Sequence, residues 1–145
     1  MVDFTVAIPT YNGAQRLPDV LEALKLQTGT ESFIWEVLVV DNNSQDTTAE
    51  VVKAYQQNSL YLIRYCLETT QGAGFARKRA IHEAKSKLIG FLDDDNIPAE
   101  SWIAAAYAFV HGICPKRRSQ LPVASRESLS PNRPKISAAF CLFWH

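Results

Sequence analysis

Cysteine is scarce in this sequence. Cys66, Cys114 and Cys141 are too few, too scattered and odd in number for a disulfide framework or a zinc site. A reducing compartment is therefore expected. Net charge is also absent, with 15 Lys and Arg against 15 Asp and Glu, and no nucleic-acid partner is expected. No apolar stretch reaches the roughly 18–20 residues that a membrane span takes. The nearest, residues 102–114, is shorter and is interrupted by Tyr107 and His111. Met1-Val2-Asp3-Phe4 lacks the basic start of a signal peptide and runs directly into strand-like sequence. The expectation is a soluble, cytoplasmic chain without a transmembrane segment, with peripheral membrane contact left open. Internal repeats are absent too.

What is present is one domain's worth of ordinary globular sequence: 145 residues, 47% hydrophobic and 21% charged. Charge is unevenly placed. Residues 1–110 hold 9 Lys and Arg against 14 Asp and Glu, a balance of −5. Residues 111–145 hold 6 against Glu127 alone, a balance of +5, together with four of the seven prolines. That shift marks a boundary near residue 110, with an irregular basic, proline-rich tail beyond it. The tail's last piece, residues 136–144, is apolar again, but no structure is assigned to it.

Before the boundary the periodicity is regular. Residues 4–8 alternate as a strand that ends at Pro9. Leu17, Val20, Leu21 and Leu24 sit at helical spacing. Residues 37–40 form a buried strand, and Thr47-x-x-Glu50 fits a capping box opening a helix to about residue 57. Residues 61–66 read as a third strand. Gln71-Gly72-Ala73-Gly74 turns into a third helix with Ala76, Ala80, Ile81 and Ala84 inward. Residues 88–92 are apolar throughout, like a parallel strand covered on both faces, and residues 99–110 are helical. The alternation predicts an α/β fold: a Rossmann-like parallel sheet with flanking helices and right-handed crossovers.

Polar clusters fall at the carboxyl ends of three of these strands: Pro9-Thr10-Tyr11-Asn12, Asp41-Asn42-Asn43-Ser44 and Asp93-Asp94-Asp95. Open α/β sheets bind ligands there. Three adjacent carboxylates repel one another unless a cation relieves them, and Mg²⁺ or Mn²⁺ takes one or two carboxylates plus substrate phosphates. An acidic, solvated turn is the plain alternative. Asp41 reads either as a turn or capping residue, or as an acceptor for a nucleobase imide or ribose hydroxyl. Tyr11 reads as packing or as a ring stacked on a base. Gly72-x-Gly74 fits a dinucleotide fingerprint poorly, since Arg77 occupies the third glycine position and the first strand lacks a glycine-rich turn. A helix start carrying Arg77, Lys78 and Arg79 beside a diphosphate fits better, with a solvated face expected for Lys78 or Arg79 at least. A flavodoxin-like phospho-acceptor domain is disfavoured, because its acidic cluster belongs at the first strand.

Four motifs in order carry a resemblance. They are Val6-Ala7-Ile8-Pro9-Thr10-Tyr11-Asn12, Val39-Val40-Asp41-Asn42-Asn43-Ser44-x-Asp46-x-Thr48, Gly72-Ala73-Gly74-Phe75-Ala76-Arg77 and Phe91-Leu92-Asp93-Asp94-Asp95. In order and spacing they resemble family 2 glycosyltransferases over roughly residues 3–110. The resemblance implies the nucleotide-binding half of a GT-A fold, a nucleotide-sugar donor (commonly a UDP-sugar) and a divalent metal, Mg²⁺ or Mn²⁺. Carried over by position, it implies that Pro9 and Tyr11 flank the base and that Asp41 binds uracil. Arg77 lies near the base or diphosphate, and Asp93 and Asp95 are the outer residues of a D-x-D motif contacting ribose and metal. Side chains 93 and 95 share a face of an extended chain while 94 points away; the chain bends here, so Asp94 stays open as a ligand. Lys78 stands where the family usually has Asn, and Asn96 where a further acid is frequent.

Such enzymes usually run well past 200 residues, and their second half supplies the acceptor pocket and a catalytic Asp or Glu. Residues 111–145 resemble no part of that half. The expectation is a sequence that leaves the family near residue 110 through truncation, a frameshift or a fused frame, with weak or absent transfer. Either it is a glycosyltransferase acting on an unidentified carbohydrate or lipid-linked acceptor, or it is an inactive remnant that at most binds nucleotide and metal.

Overall fold

The computed structural model describes residues 1–112 and the backbone of residues 142–144. Elements alternate as the sequence predicts: β1 (Phe4–Thr10), α1 (Leu17–Lys25), β2 (Trp35–Asp41), α2 (Thr48–Asn58), β3 (Leu62–Leu67), α3 (Ala73–Glu83), β4 (Leu88–Phe91) and α4 (Trp102–Val110). A short β5 (Leu142–Trp144) follows. The strand order is β3-β2-β1-β4-β5, with β1 to β4 parallel. The chain therefore winds one way from β1 to β3 and then crosses to the other side of β1. A crevice at the carboxyl ends of β1 and β4 is the usual ligand position for such a switch.

Alternation sorts the strand residues onto two covered faces. Phe4, Val6, Ile8, Val37 and Val39 pack with Leu17, Val20, Leu21 and Leu24 of α1, Val52 of α2, and Trp102, Ile103 and Ala106 of α4. Ala7, Leu38, Val40, Ile89 and Phe91 face Ala76 and Ala80 of α3. Gly90 belongs to this fit. A Cβ there would lie 2.7 Å from Phe4 Cζ and 3.2 Å from Trp102 Cη2. Gly90→Ala is expected to destabilise by about 1–3 kcal/mol through overpacking; urea unfolding with no shift in midpoint would contradict it.

Three local expectations need correction. β1 does not stop at Pro9 but runs to Thr10, with Pro9 opposite Val40. Ala7 O accepts the Leu92 amide at 3.0 Å, so Pro9, two residues on, faces the same β4 side. The β1–β4 register ends at Ala7 and Phe91, and the missing N–H of Pro9 costs no ladder bond. The Thr47/Glu50 capping box does not form, since Thr47 makes no side-chain cap bond. Asp46 takes its place, accepting from the Thr48 amide at 3.0 Å and also from the Thr48 hydroxyl. Finally, residues 142–144, which carry no readable period in the sequence, pair antiparallel with β4. A three-residue strand has no period of its own; it is defined by the open β4 edge. The reading of the tail as irregular, truncated or frameshifted otherwise falls on residues 113–141, outside the described residues.

The amino end of β2 buries a charge. Glu36 is fully buried. Its Oε1 accepts from Thr5 Oγ1 at 3.0 Å, Arg64 Nη1 at 3.2 Å and the Lys85 amide at 3.2 Å. Its Oε2 has no hydrogen-bond partner among the described residues.

Candidate functional site

The three polar strand ends meet at one rim. The Asn42 amide donates to Thr10 O at 2.8 Å, which continues the β1–β2 ladder into the loops. The Asn12 amide donates to Ser44 Oγ at 2.9 Å, and Asn12 Oδ1 accepts the Gln45 amide at 2.8 Å. Both loops turn through left-handed asparagines, Asn12 with φ 50° and Asn43 with φ 62°, a conformation that Asn tolerates better than most residues. Asn42 ties in the start of α3 through its side chain: Nδ2 donates to Thr70 O at 2.7 Å, and Oδ1 accepts the Gly72 amide at 2.7 Å. From β4, Asp94 Oδ2 accepts Thr10 Oγ1 at 2.6 Å.

These contacts enclose a cleft of about 260 Å³. It is lined by Pro9, Thr10 and Tyr11 at the end of β1, by Arg16, Asn42 and Asp94, and by Ala73 and Ala76 of α3. Of the expected site residues, Pro9 and Tyr11 line the cleft, with Tyr11 46% exposed. Asp41 is buried at the end of β2, accepting from the Ser44 amide at 2.9 Å and from the Tyr65 hydroxyl at 2.7 Å. Burial, and then the bond to Asp41, push the Tyr65 phenol well above its ordinary pKa, so it remains a donor. Each Asp41 oxygen accepts one bond here, and a carboxylate oxygen has lone pairs for two.

Arg77 pairs with Asp93 at 3.3 Å and lies over the Phe91 ring at 5.8 Å. Asp93 Oδ2 also accepts from Asn96 at 3.2 Å. Asp95 is exposed and makes no hydrogen bond or ion pair within the described residues. Lys78 is exposed, and Arg79 turns back to Glu83 at 3.0 Å.

One residue outside the expected set matters here. Arg16 binds Asp94 through Nε at 3.2 Å and Nη2 at 2.8 Å, and Nη2 also donates to Tyr11 O at 3.0 Å. The bond to Asp94 raises the Arg16 pKa above its ordinary value, which keeps the guanidinium charged. The premise that three adjacent aspartates need a metal for relief is therefore only partly met, because Arg16 neutralises Asp94 and Arg77 neutralises Asp93. Of the three β4 aspartates, Asp95 alone has no guanidinium partner among the described residues. No spacing rule signals Arg16; its role depends on the loop folding back to β4.

Among the described residues, no three His, Cys, Asp or Glu side chains gather to hold a metal by themselves. Two carboxylates with oxygen donors on one loop still suit Mg²⁺ or Mn²⁺, ions that draw the rest of their coordination from water and substrate phosphates.

A family model described as "Glycosyl transferase family 2" matches residues 5–117. The chain belongs to glycosyl transferase family 2. It is 33% identical over 108 residues to glycosyltransferase AglE of Haloferax volcanii, covering 74% of this chain and 35% of that protein. It is also 33% identical over 111 residues to the poly(ribitol-phosphate) β-N-acetylglucosaminyltransferase TarS of Staphylococcus aureus, covering 76% of this chain and 19% of TarS. The family 2 chain thus spans about a third or less of these relatives.

Among solved structures it resembles S. aureus TarS 1–349 in complex with UDP-GlcNAc. The TM-score is 0.67 at 27% identity, over 77% of this chain and 32% of that one. It also resembles the mannosyltransferase PcManGT from Pyrobaculum calidifontis in complex with GDP-Man and Mn²⁺, with a TM-score of 0.64 at 28% identity, over 73% and 31% of the two chains. The family 2 sheet is thereby the Rossmann-like, N-terminal half of a GT-A fold. No helix among the described residues is long and apolar enough to cross a membrane.

Proposed function

We propose that residues 1–110 are the donor-binding half of a glycosyltransferase, that the cleft takes a nucleoside-diphosphate sugar, and that the donor is a UDP-sugar. The observation that carries this reading is the convergence of the β1, β2 and β4 ends on one rim, where Arg16 and Asp94 line a cleft and Asp93 of the same β4 loop pairs with Arg77. In this reading the base lies against Pro9 and Tyr11. A stacked ring is worth about 1–3 kcal/mol, and Asp41 accepts the uracil imide N–H. Arg77 turns from Asp93 toward the diphosphate. Mg²⁺ or Mn²⁺, held by Asp93 and Asp95, would supply charge to stabilise the departing diphosphate.

Transfer to an acceptor hydroxyl also needs a base that takes the hydroxyl proton, and no residue of 1–112 is assigned that role. A chain that binds nucleotide and metal without transferring sugar uses this same site. Donor hydrolysis and acceptor-transfer assays separate the two readings.

Titration calorimetry with UDP, with and without Mn²⁺, tests the shared site. The expected result is saturable UDP binding that tightens when Mn²⁺ is present, with GDP weaker than UDP. Absence of UDP binding under both conditions would refute the reading, and tighter binding of GDP would overturn the choice of base.

A further inference from the structure

Asp94 sits between the two expected metal ligands, yet its side chain is turned elsewhere. It is 14% exposed, less than the 44% of Asp93. Its Oδ1 takes Arg16 Nε, and its Oδ2 takes both Arg16 Nη2 and the Thr10 hydroxyl. The guanidinium that grips Asp94 also holds the Tyr11 carbonyl at 3.0 Å. One carboxylate on the β4 loop therefore fixes the loop that carries the aromatic wall of the cleft.

The backbone is shaped around this contact. A Cβ on Gly13 would lie 2.0 Å from Thr10 Oγ1 and 2.9 Å from Asp94 Oδ2. The space a side chain would fill at position 13 is occupied by the hydroxyl–carboxylate bond. Serving as a metal ligand would cost Asp94 its paired contact with Arg16, and bidentate guanidinium–carboxylate pairs are among the stronger polar contacts.

We propose that Asp94 is a positioning residue and not a metal ligand: with Arg16 and Thr10 it clamps the β4 acidic loop to the Tyr11 loop and so holds the nucleobase wall in its binding geometry. This rests on the donor-site reading above. The clamp acts on base binding, while Asp93 and Asp95 act on metal. The two roles therefore separate in the ratio of UDP affinities measured with and without Mn²⁺.

The test uses the full 145-residue chain and calorimetry of UDP with and without Mn²⁺ on Asp94→Asn, Arg16→Gln and the double variant. Asp94→Asn keeps side-chain volume and removes the charge. Arg16→Gln leaves the acidic loop chemically intact, so a folding defect in one variant leaves the other informative. Each single change is expected to weaken UDP binding about tenfold, through lost preorganisation, both with and without Mn²⁺. The tightening by Mn²⁺ is expected to persist. The double variant is expected to be no weaker than either single one, as for two halves of one contact. Loss of the Mn²⁺ effect in Asp94→Asn alone would make Asp94 a ligand and overturn the clamp, as would strictly additive losses or unchanged affinity. A wild-type chain that binds no UDP would overturn the donor-site reading and the clamp with it. A binding wild type with a failed clamp overturns the clamp only.

Discussion

Replacing Asp93 and Asp95 together by alanine is expected to abolish the contribution of Mn²⁺ to UDP binding. The loss in Mn²⁺-supported affinity should exceed about 100-fold, since even outer-shell partners of a metal typically account for 10–100-fold. Electrostatics sharpens the test. The double change removes two negative charges from the rim and frees Arg77 from its 3.3 Å pair with Asp93. Charge alone would then draw an anionic diphosphate more strongly, and metal-free binding should hold or improve. Loss of a bound cation produces the opposite result, and confines it to the affinity measured with Mn²⁺. Asp95 is exposed and Asp93 partly so, so the thermal midpoint should move little. Calorimetry on the double variant with undiminished tightening by Mn²⁺ would remove these two residues from the metal site.

The second large effect lies at the other end of β2. Arg64→Met is expected to destabilise the protein by about 3 kcal/mol, because it leaves the Glu36 carboxylate buried without its cation. Arg64 is 22% exposed at its side chain, whereas Glu36 is wholly enclosed. Only the Thr5 hydroxyl and the Lys85 amide would remain on Oε1. Adding Glu36→Gln should recover most of the loss, since an amide carries no charge to desolvate. Urea denaturation of the single and double variants measures both steps. A single variant within about 0.5 kcal/mol of wild type, the range of ordinary surface changes, would mean that the pair is not the stabilising contact described here. Asp41 ends β2 at the rim while Glu36 lies near its start, so UDP affinity should be unaffected.

The contrast between these two regions shows what was legible in the chain. Fully apolar strands such as residues 37–40 and the helical spacing of Leu17, Val20, Leu21 and Leu24 are direct consequences of burial, and all these residues are inside. Convergence of the polar strand ends followed from parallel topology alone. What eluded sequence reading depends on contacts between distant segments. Glu36 looks like a surface residue until Arg64, 28 positions away, reaches it. Arg16 has no motif, because its partner Asp94 lies 78 positions on. Thr47 and Glu50 satisfied a local capping pattern, yet Asp46 was better placed, with its second oxygen also taking the Ala14 amide at 3.1 Å. Burial pushes the Asp46 carboxyl up, but the bonds from Thr48 and Ala14 outweigh it and hold the pKa below its ordinary value. Local rules compete, and the loop packing between β1 and α2 decides among them.

The central claim is that one rim of the sheet holds a nucleoside diphosphate through a cation on the β4 loop. Paramagnetic broadening by Mn²⁺ in amide NMR spectra of the full chain, recorded with and without UDP, measures that location. The account predicts broadening centred on Asp93, Asp95 and Asn96, strengthened by UDP, with UDP-induced shifts at Tyr11 and Asn42. Broadening centred elsewhere, or left unchanged by UDP, would contradict it.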